Sequence, residues 1–496
     1  MTRPSEMAFG NSGAGVPVKP TRFAPFALTG LLFALAGCAE VQEMVPPRAD
    51  VAARMAPASE VISLDKSQIK PLYRELLAID LPNVVRVAAA QNIDVRQARE
   101  RVEAARARYE TSVESIAPTL SPGITLDHVE GVNRAVTGEL LPANFTTLNP
   151  AVLAQLLLNP GQVFYDIIAS KKRLIASQQQ ERFVLMDVLR QSLLQYHDLV
   201  LAQIRVSVAQ QAVAEAEELL RLTSLRLQAG TGLPADEERA RASLAGRQQD
   251  LINALHGFYD ASFALAVTLH LDPTVTLAPQ SDQLTAMALV RDDLSIDDML
   301  TIAVAQRPDL QSVRQLADAA GADAQAIRWG GLGPQIGAQY QIGGIDSRTP
   351  AKDFAIQEQQ HAALSLGWIL SLTTLGRSKS ADAVQREAML EAERKLDTVR
   401  ADVVRASEAS ATEVRLIPTA KQQVESAEEA LRLAQTTLEA GNALTLDVLQ
   451  AEDALNEARQ NYAGAVVNYN KAQVSLLAAL GSLDEASIMT TSGATP

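Results

Sequence analysis

The sequence predicts a mainly α fold with a small β part, made of two copies of one long-helix hairpin. Three observations carry that expectation. Between Pro160 and Pro234 no proline interrupts a run in which apolar residues recur three or four apart, as at Leu185, Leu189, Leu193, Tyr196, Val200 and Ile204, which is the helical period. A helix over 161–229 would be roughly 100 Å long at 1.5 Å per residue, against roughly 8–20 residues for a helix in a globular protein. The unit then recurs. With the numbering shifted by 211, Leu220-Arg221-Leu222 falls on Leu431-Arg432-Leu433, and Leu227, Ala229, Gly230, Leu233 and Asp236 fall on Leu438, Ala440, Gly441, Leu444 and Asp447. A period of about 200 residues exceeds that of solenoid repeats and describes two copies of one large module. Third, two short alternating stretches precede each long helix, a strand signal.

The first repeat occupies 64–285. Leu81–Gln91 is a short helix with Pro82 in its first turn, and Asp94–Ile116 a second, stopped by Pro118 and Pro122. Strands are expected at about 123–129 and 151–158, with the polar stretch 130–149 as a loop between them. Asn159-Pro160-Gly161 opens the long helix 161–229, a tip at 230–236 reverses the chain, and a return helix covers 235–270. The second repeat, 286–482, follows the same order. Ser295 caps a helix through Gln306, and Asp309–Trp329 is the next, ended by Gly330, Gly331, Gly333 and Pro334. Strands follow at about 335–342 and 361–370, then the long helix 375–440, the tip 441–447 and the return helix 445–480. Pro418, inside the long helix, costs about 3 kcal/mol and should kink it. Each module reads as one long rod against two shorter rods in series. Residues 483–496 read as a flexible C-terminal tail.

At the N-terminus, Arg3, Lys19 and Arg22 precede the apolar stretch Phe23–Ala36, the pattern of a secretory signal over 1–37, with Met7 as an alternative start. The signal ends in Leu35-Ala36-Gly37-Cys38, which resembles the bacterial lipobox. On that reading Cys38 becomes the mature N-terminus and carries acyl chains such as palmitate, a stable anchor at about 0.8 kcal/mol per buried CH₂. The other reading is a plain signal peptide followed by a chance cysteine. Ala39, in place of an aspartate, favours the outer membrane. Residues 38–63, with Pro46, Pro47 and Pro57, read as a lipidated tether.

Composition narrows the function. A net charge of −14 makes a poor nucleic-acid ligand. Cys38 is the one cysteine, so no disulfide forms within a chain. His128, His197, His256, His270 and His361 show no metal-ligand spacing. There is no phosphate-binding G-x-x-x-x-G-K-[ST] loop and no nucleophile motif. The chain reads as no enzyme, with no cofactor and no metal. Four strands per chain cannot close a membrane barrel, since bacterial single-chain barrels start at about eight strands, and an open edge is not tolerated in lipid. Either several chains share one barrel, or the strand pairs are soluble hairpins capping a helical bundle.

Over about residues 60–482 the sequence resembles the TolC family of outer-membrane efflux and secretion channels, in its lipoprotein branch. The residues that carry the resemblance are Ala90-Gln91-Asn92-Ile93-Asp94-Val95, its counterpart Ala305-Gln306-Arg307-Pro308-Asp309-Leu310, and Leu366–Leu372 with Gly376-Arg377. The most specific is the stretch Leu438–Gln450 around the second tip. The resemblance implies a homotrimer: a twelve-helix α-barrel in the periplasm continued by a twelve-strand transmembrane β-barrel, four strands per chain. It implies a periplasmic adaptor (membrane fusion protein), an inner-membrane pump of RND or ABC type, and outer-membrane lipid as partners. Gly230, Thr231, Gly232 and Leu233, with Gly441, Asn442, Ala443 and Leu444, would then meet the adaptor, and Asp447 and Asp236 would constrict the aperture. The family's second ring carboxylate is replaced here by Gln450, and its latching tyrosine and arginine fall on Leu438 and Ala443, so the closed state must be held differently. Asp447 and Asp236 also suit the first turn of a helix, and both roles are compatible. The implied function is a passive conduit for efflux or secretion. The alternative is a non-channel periplasmic coiled-coil scaffold or adaptor lipoprotein.

Overall fold

The computed structural model describes residues 69–72, 75–134, 136–280, 284–348, 356–440 and 442–491. The expected signal peptide, Cys38 and the tether to residue 63 lie outside the described residues, as does Gly441.

Side-chain caps start the helices where the sequence changes character. Asp80 opens α1, Leu81–Gln91, by accepting from the Asn83 N–H at 2.9 Å. Asn92 opens α2, Ile93–Glu114, by accepting from the Asp94 N–H at 2.8 Å. Asn159 opens α3, Pro160–Gln228, a rod of 69 residues. Its side chain accepts from the Gln162 N–H at 3.0 Å and donates to the Trp329 carbonyl at 2.8 Å, tying the start of the first long rod to the second repeat. Such caps satisfy backbone donors that the helix itself leaves unpaired. The return helix α4 is Pro234–Thr268. The second repeat supplies α5, Ile296–Gln306, α6, Pro308–Leu332, the 67-residue α7, Thr373–Glu439, and α8, Thr445–Ala479.

α6 runs further than expected, through Gly330 and Gly331 to Leu332, and Pro418 lies inside α7, which spans Thr373–Glu439 as one helix. The carbonyl deprived of its donor by Pro418 is that of Val414, on an exposed turn where water can serve it. The chain end also differs from expectation: Glu485–Thr491 forms a short helix, α9, packed on α1, with Leu483 and Ile488 buried.

α3 packs against α2, α4, α6 and α8, while α7 packs against α6 and α8. The long strands repeat that order. β2, Thr119–Arg134, follows α2; β3, Leu140–Leu158, leads into α3; β5, Pro334–Arg348, follows α6; β6, Gln357–Trp368, leads into α7. They pair antiparallel as β2-β3-β5-β6, so β2 and β6 are the sheet's edges. All four are longer than the alternating stretches predict, because the ladder continues into residues that mix polar and apolar side chains on each face. His128–Arg134 pair with Leu140–Thr146 as regularly as the apolar middle does, with Arg134 opposite Leu140. The β3–β5 register is interrupted only at Asn149 and Pro150, where proline has no N–H to give. Ile369 and Leu370, expected in the last strand, lie beyond it.

The buried core sits at mid-length of the rods. Leu189, Leu193, Leu199 and Ile204 of α3 meet Phe258, Leu265 and Leu269 of the first repeat and Leu310, Val399, Leu476 and Leu477 of the second. A four-residue strand, β1, Leu76–Ile79, pairs parallel with β4, Thr276–Pro279, across this waist. Full burial of such side chains stabilises by about 1.5–3 kcal/mol each.

The duplication is uneven at the ends of the return helices. Both finish in a left-handed residue: His270, at φ 54°, after α4, and Gly481, at φ +75°, after α8. Matching backbone bonds close them, Leu271 N–H to Ala266 and Ser482 N–H to Leu477. Gly481 has no room for a side chain, since a Cβ there would stand 2.9 Å from Arg307 backbone atoms. Gly481→Ala is therefore expected to lower stability by about 1–3 kcal/mol, from a strained φ plus the clash. His270→Gly, which only relieves strain, should be neutral or stabilising. Thermal unfolding followed by circular dichroism checks both, and equal shifts in the two variants would contradict this account.

Candidate functional site

Two regions present functional chemistry: the hairpin tips and the sheet. At the first tip Gly230, at φ +74°, makes the reversal, and the Thr231 and Gly232 N–H groups both donate to the Arg226 carbonyl at 2.9 Å. At the second, the Asn442 N–H donates to the Thr437 carbonyl at 2.9 Å, the same bond 211 positions on. Leu233 and Leu444, just before the return helices, are 63% and 65% exposed. Thr231 and Asn442 are also exposed, and Gly232 and Ala443 half-buried.

The structure separates the two expected aspartates. Asp236 is half-buried and holds Arg239 at 3.1 Å. Asp447 is exposed; its carboxylate accepts from the Leu444 N–H at 3.0 Å, closing the first turn of α8. Gln450, one turn on, is exposed on the same face. The hairpins are tied together by Arg226, whose Nη1 donates at 2.8 Å to the carbonyl of Leu438. That carbonyl lies in the last turn of α7, where the helix offers it no partner.

Just above the second tip lies a cluster that the sequence reading missed. Glu452 of α8 is 1% exposed, and neither carboxylate oxygen has a hydrogen-bond partner. Burial first, and then the charge of Glu215 on α3, push its pKa up to about 7. Glu215 accepts from Arg459 at 3.0 Å through one oxygen, while the other has no partner. Arg459 also faces Glu428 of α7 at 3.7 Å, and Arg247 of α4 pairs with Asp453. Four rods therefore meet at this layer around a carboxylate held neutral. A signal was present: Val448, Glu452, Leu455, Tyr462 and Val466 share one three-and-four spacing, so Glu452 occupies a position of the apolar seam.

The sheet is organised by parity. The register places even-numbered residues of all four strands on one face and odd-numbered residues on the other. The even face carries Leu120, Ile124, Leu126, Leu148, Val152, Ile336, Ile342, Leu364, Leu366 and Trp368. The odd face carries Thr119, Ser121, Thr125, Asp127, Gln155, Gln335, Gln339, Gln341, Gln357, Gln359, His361 and Ser365, with Leu153 and Leu157 as apolar exceptions towards the helix end and Val129, Leu141, Phe145 and Ile345 towards the loop end. No helix covers the apolar face, and Leu364 is 81% exposed. Its apolar band spans Leu148–Leu158 on β3, about 33 Å of strand, or about 25 Å of height at a barrel tilt of 35–45°. Charges appear on this face only at the loop end, at Glu130, Arg134, Asp346, Arg348 and Glu358.

Among the described residues no helix is long and apolar enough to cross a membrane, and no group of three or more His, Cys, Asp or Glu side chains is placed to hold a metal ion. Comparison with known proteins agrees with the architecture. Residues 299–482 match the family model for the outer membrane efflux protein. Over 282 residues the chain is 27% identical to the pyoverdine export outer membrane protein OpmQ of Pseudomonas putida, a match that covers 56% of this chain and spans 58% of that relative's length. The outer-membrane channel OprN superposes with a TM-score of 0.71 at 21% identity, covering 88% of this chain and 97% of that one. The open state of the MtrE outer membrane channel of Neisseria gonorrhoeae superposes with a TM-score of 0.69 at 19% identity, covering 88% and 98%.

The Glu452 layer makes a pH-dependent prediction. Folded, Glu452 keeps its proton to about pH 7; unfolded, it releases it near 4.5. The folded state binds more protons between those values, so this group's contribution to stability falls as pH rises from about 4.5 to about 7. Glu452→Gln should be more stable than wild type at pH 8 and close to it at pH 4.5, measured as the thermal midpoint. A difference between the two proteins that does not change with pH would contradict the assignment.

Proposed function

We propose that this TolC-family chain is the outer-membrane channel of a tripartite efflux or type I secretion system, a passive conduit that performs no catalysis. The observation that carries the proposal is the coincidence of two orders. β2-β3-β5-β6 is open at β2 and β6, and the rods end at the same two sides, with α2 and α4 at one and α7 at the other. An apolar face with two unpaired edges cannot stay in lipid as it stands. Joining β6 of one copy to β2 of the next is a head-to-tail contact, which closes into a ring when the rotation permits. Three copies supply twelve strands above and a twelve-helix barrel below. The exposed apolar side chains of α7, among them Leu390, Val404, Val414 and Leu416, then face the neighbouring copy's α2 and α4.

In this assembly the even face meets lipid, the odd face lines the lumen, and the strand ends at Arg134, Leu140, Arg348 and Gln357 face outward. The tips point into the periplasm. Leu233 and Leu444 offer a periplasmic adaptor apolar contacts at the positions expected from the sequence, Gly230–Leu233 and Gly441–Leu444. Three copies of Asp447, with Gln450 one turn away, ring the threefold axis; Asp236, engaged with Arg239, contributes less. Driving energy comes from an inner-membrane pump of RND or ABC type, and acylated Cys38 adds a lipid anchor. A scaffold or adaptor lipoprotein has no use for a bare apolar sheet face.

Three measurements test this reading. The purified protein should be a trimer that conducts ions in planar bilayers; a monomer without conductance would remove the proposal. Leu364→Arg, on the lipid face, should lower the yield of outer-membrane trimer by the equivalent of about 2–4 kcal/mol, whereas Gln359→Arg, on the lumen face, should be tolerated. Equal behaviour of the two would contradict the assignment of faces. Asp447→Asn should reduce cation over anion selectivity, and an unchanged reversal potential would show that the ring does not set it.

A further inference from the structure

The odd face of the sheet is more specific than a wetted wall requires. Follow its cross-strand rows from the loop end to the helix end. Gln357 stands opposite Ile345, in a row with Asn149 and Thr125. Gln359 stands opposite Gly343. Gln341 stands opposite His361. Gln339 stands opposite Gln155. Gly337 and Ser365 make the next row, and Gln335 stands opposite Gly367 in the last. Every row but one therefore presents a carboxamide. Successive rows are about 6.6–6.8 Å apart along the strands, so a solute leaving one amide meets another within a side chain's reach. Gly367, opposite Gln335, leaves the space beside it open.

The charge pattern is as informative. Asp127 is the one permanently charged residue on this face among the described residues, and His361 the one imidazole. Among the described residues the six glutamine side chains make no hydrogen bond, unlike Gln360 on the opposite face, which accepts from Tyr340 at 3.3 Å and donates to Glu358 at 2.8 Å. Serine, threonine or charged groups would solvate a lumen equally well. A carboxamide offers both donor and acceptor and attracts neither sign of charge.

We infer that the amide ladder Gln357–Gln359–Gln341–Gln339/Gln155–Gln335 is a hydrogen-bonding track that binds uncharged, hydroxyl-rich solutes weakly and repeatedly as they pass through the strand barrel. This rests on the channel reading, which makes the odd face a lumen. Row after row, an entering solute exchanges water for an amide and an amide for the next. Any charge selection occurs at the tips, and the strand barrel selects for hydroxyl density.

The test uses the full-length trimer in a detergent without a sugar headgroup, with maltohexaose as probe and a polyethylene glycol of similar size as control. Saturation-transfer NMR should show a saturable signal on the sugar ring protons and a much smaller one on the glycol. Gln155→Leu, Gln339→Leu and Gln341→Leu combined should weaken sugar binding roughly tenfold, the worth of one or two hydrogen bonds. The variant's trimer state and sheet signal in circular dichroism should be retained. If the triple variant does not hold a trimer, the single variant Gln339→Leu is read instead and should show a smaller loss in the same direction. Equal sugar signals in wild type and variant, or none in a wild-type trimer that conducts, would overturn the track and leave the channel standing. A wild type that neither trimerises nor conducts would overturn both.

Discussion

Backbone hydrogen bonding at the two sheet edges governs this molecule. β2 and β6 each present a row of N–H and C=O groups with no strand partner among the described residues, beside an exposed apolar face. In water the edge could be solvated, but the face could not be hidden; in lipid the face is at home and the edge is intolerable. Only further copies of the same chain resolve both. The rods comply with this constraint, since their packing order follows the strand order and leaves the same two sides uncovered.

The tips and the waist divide the remaining work. Apolar side chains concentrate at mid-length, where α1 and β4 pack on α3, α5 on α7, α9 on α1 and β1 on β4, so the repeats are fixed to each other there. At the tips the fold relies on local devices: backbone reversal bonds repeated 211 positions apart, Arg226 on the Leu438 carbonyl, and Asp447 on its own helix start. The Glu452 layer between these regions is polar, buried and incompletely paired, and it joins rods of both repeats where they approach the aperture.

Much of this was legible in the residues. The duplication located the second tip from the first, and the equivalent bonds Thr231 to Arg226 and Asn442 to Thr437 show why: the same local chemistry produces the same turn. The strands were only half legible. Alternation reveals a strand where its faces meet different media, as at Ile124–Leu126; it fades from His128 to Arg134, where each face mixes polar and apolar residues although pairing continues. The strands β1 and β4 are four residues each and pair over two hundred positions, so neither period nor locality announces them. Glu452 escaped for a different reason. Reading a seam by its apolar members passes over a carboxylate standing in register with them.

The placement of the core at the waist makes each long rod a lever. From Leu193, in the core, to Gln228, at the tip, α3 extends about 53 Å at 1.5 Å per residue. A tilt of about 5° at that fulcrum carries the end of the rod about 5 Å sideways, nearly the pitch of a helix. Repacking of a few side chains around Leu193 and Leu477 is thus geometrically sufficient to widen or narrow the far end. Residues tens of ångströms from the tips can set how far apart the tips stand.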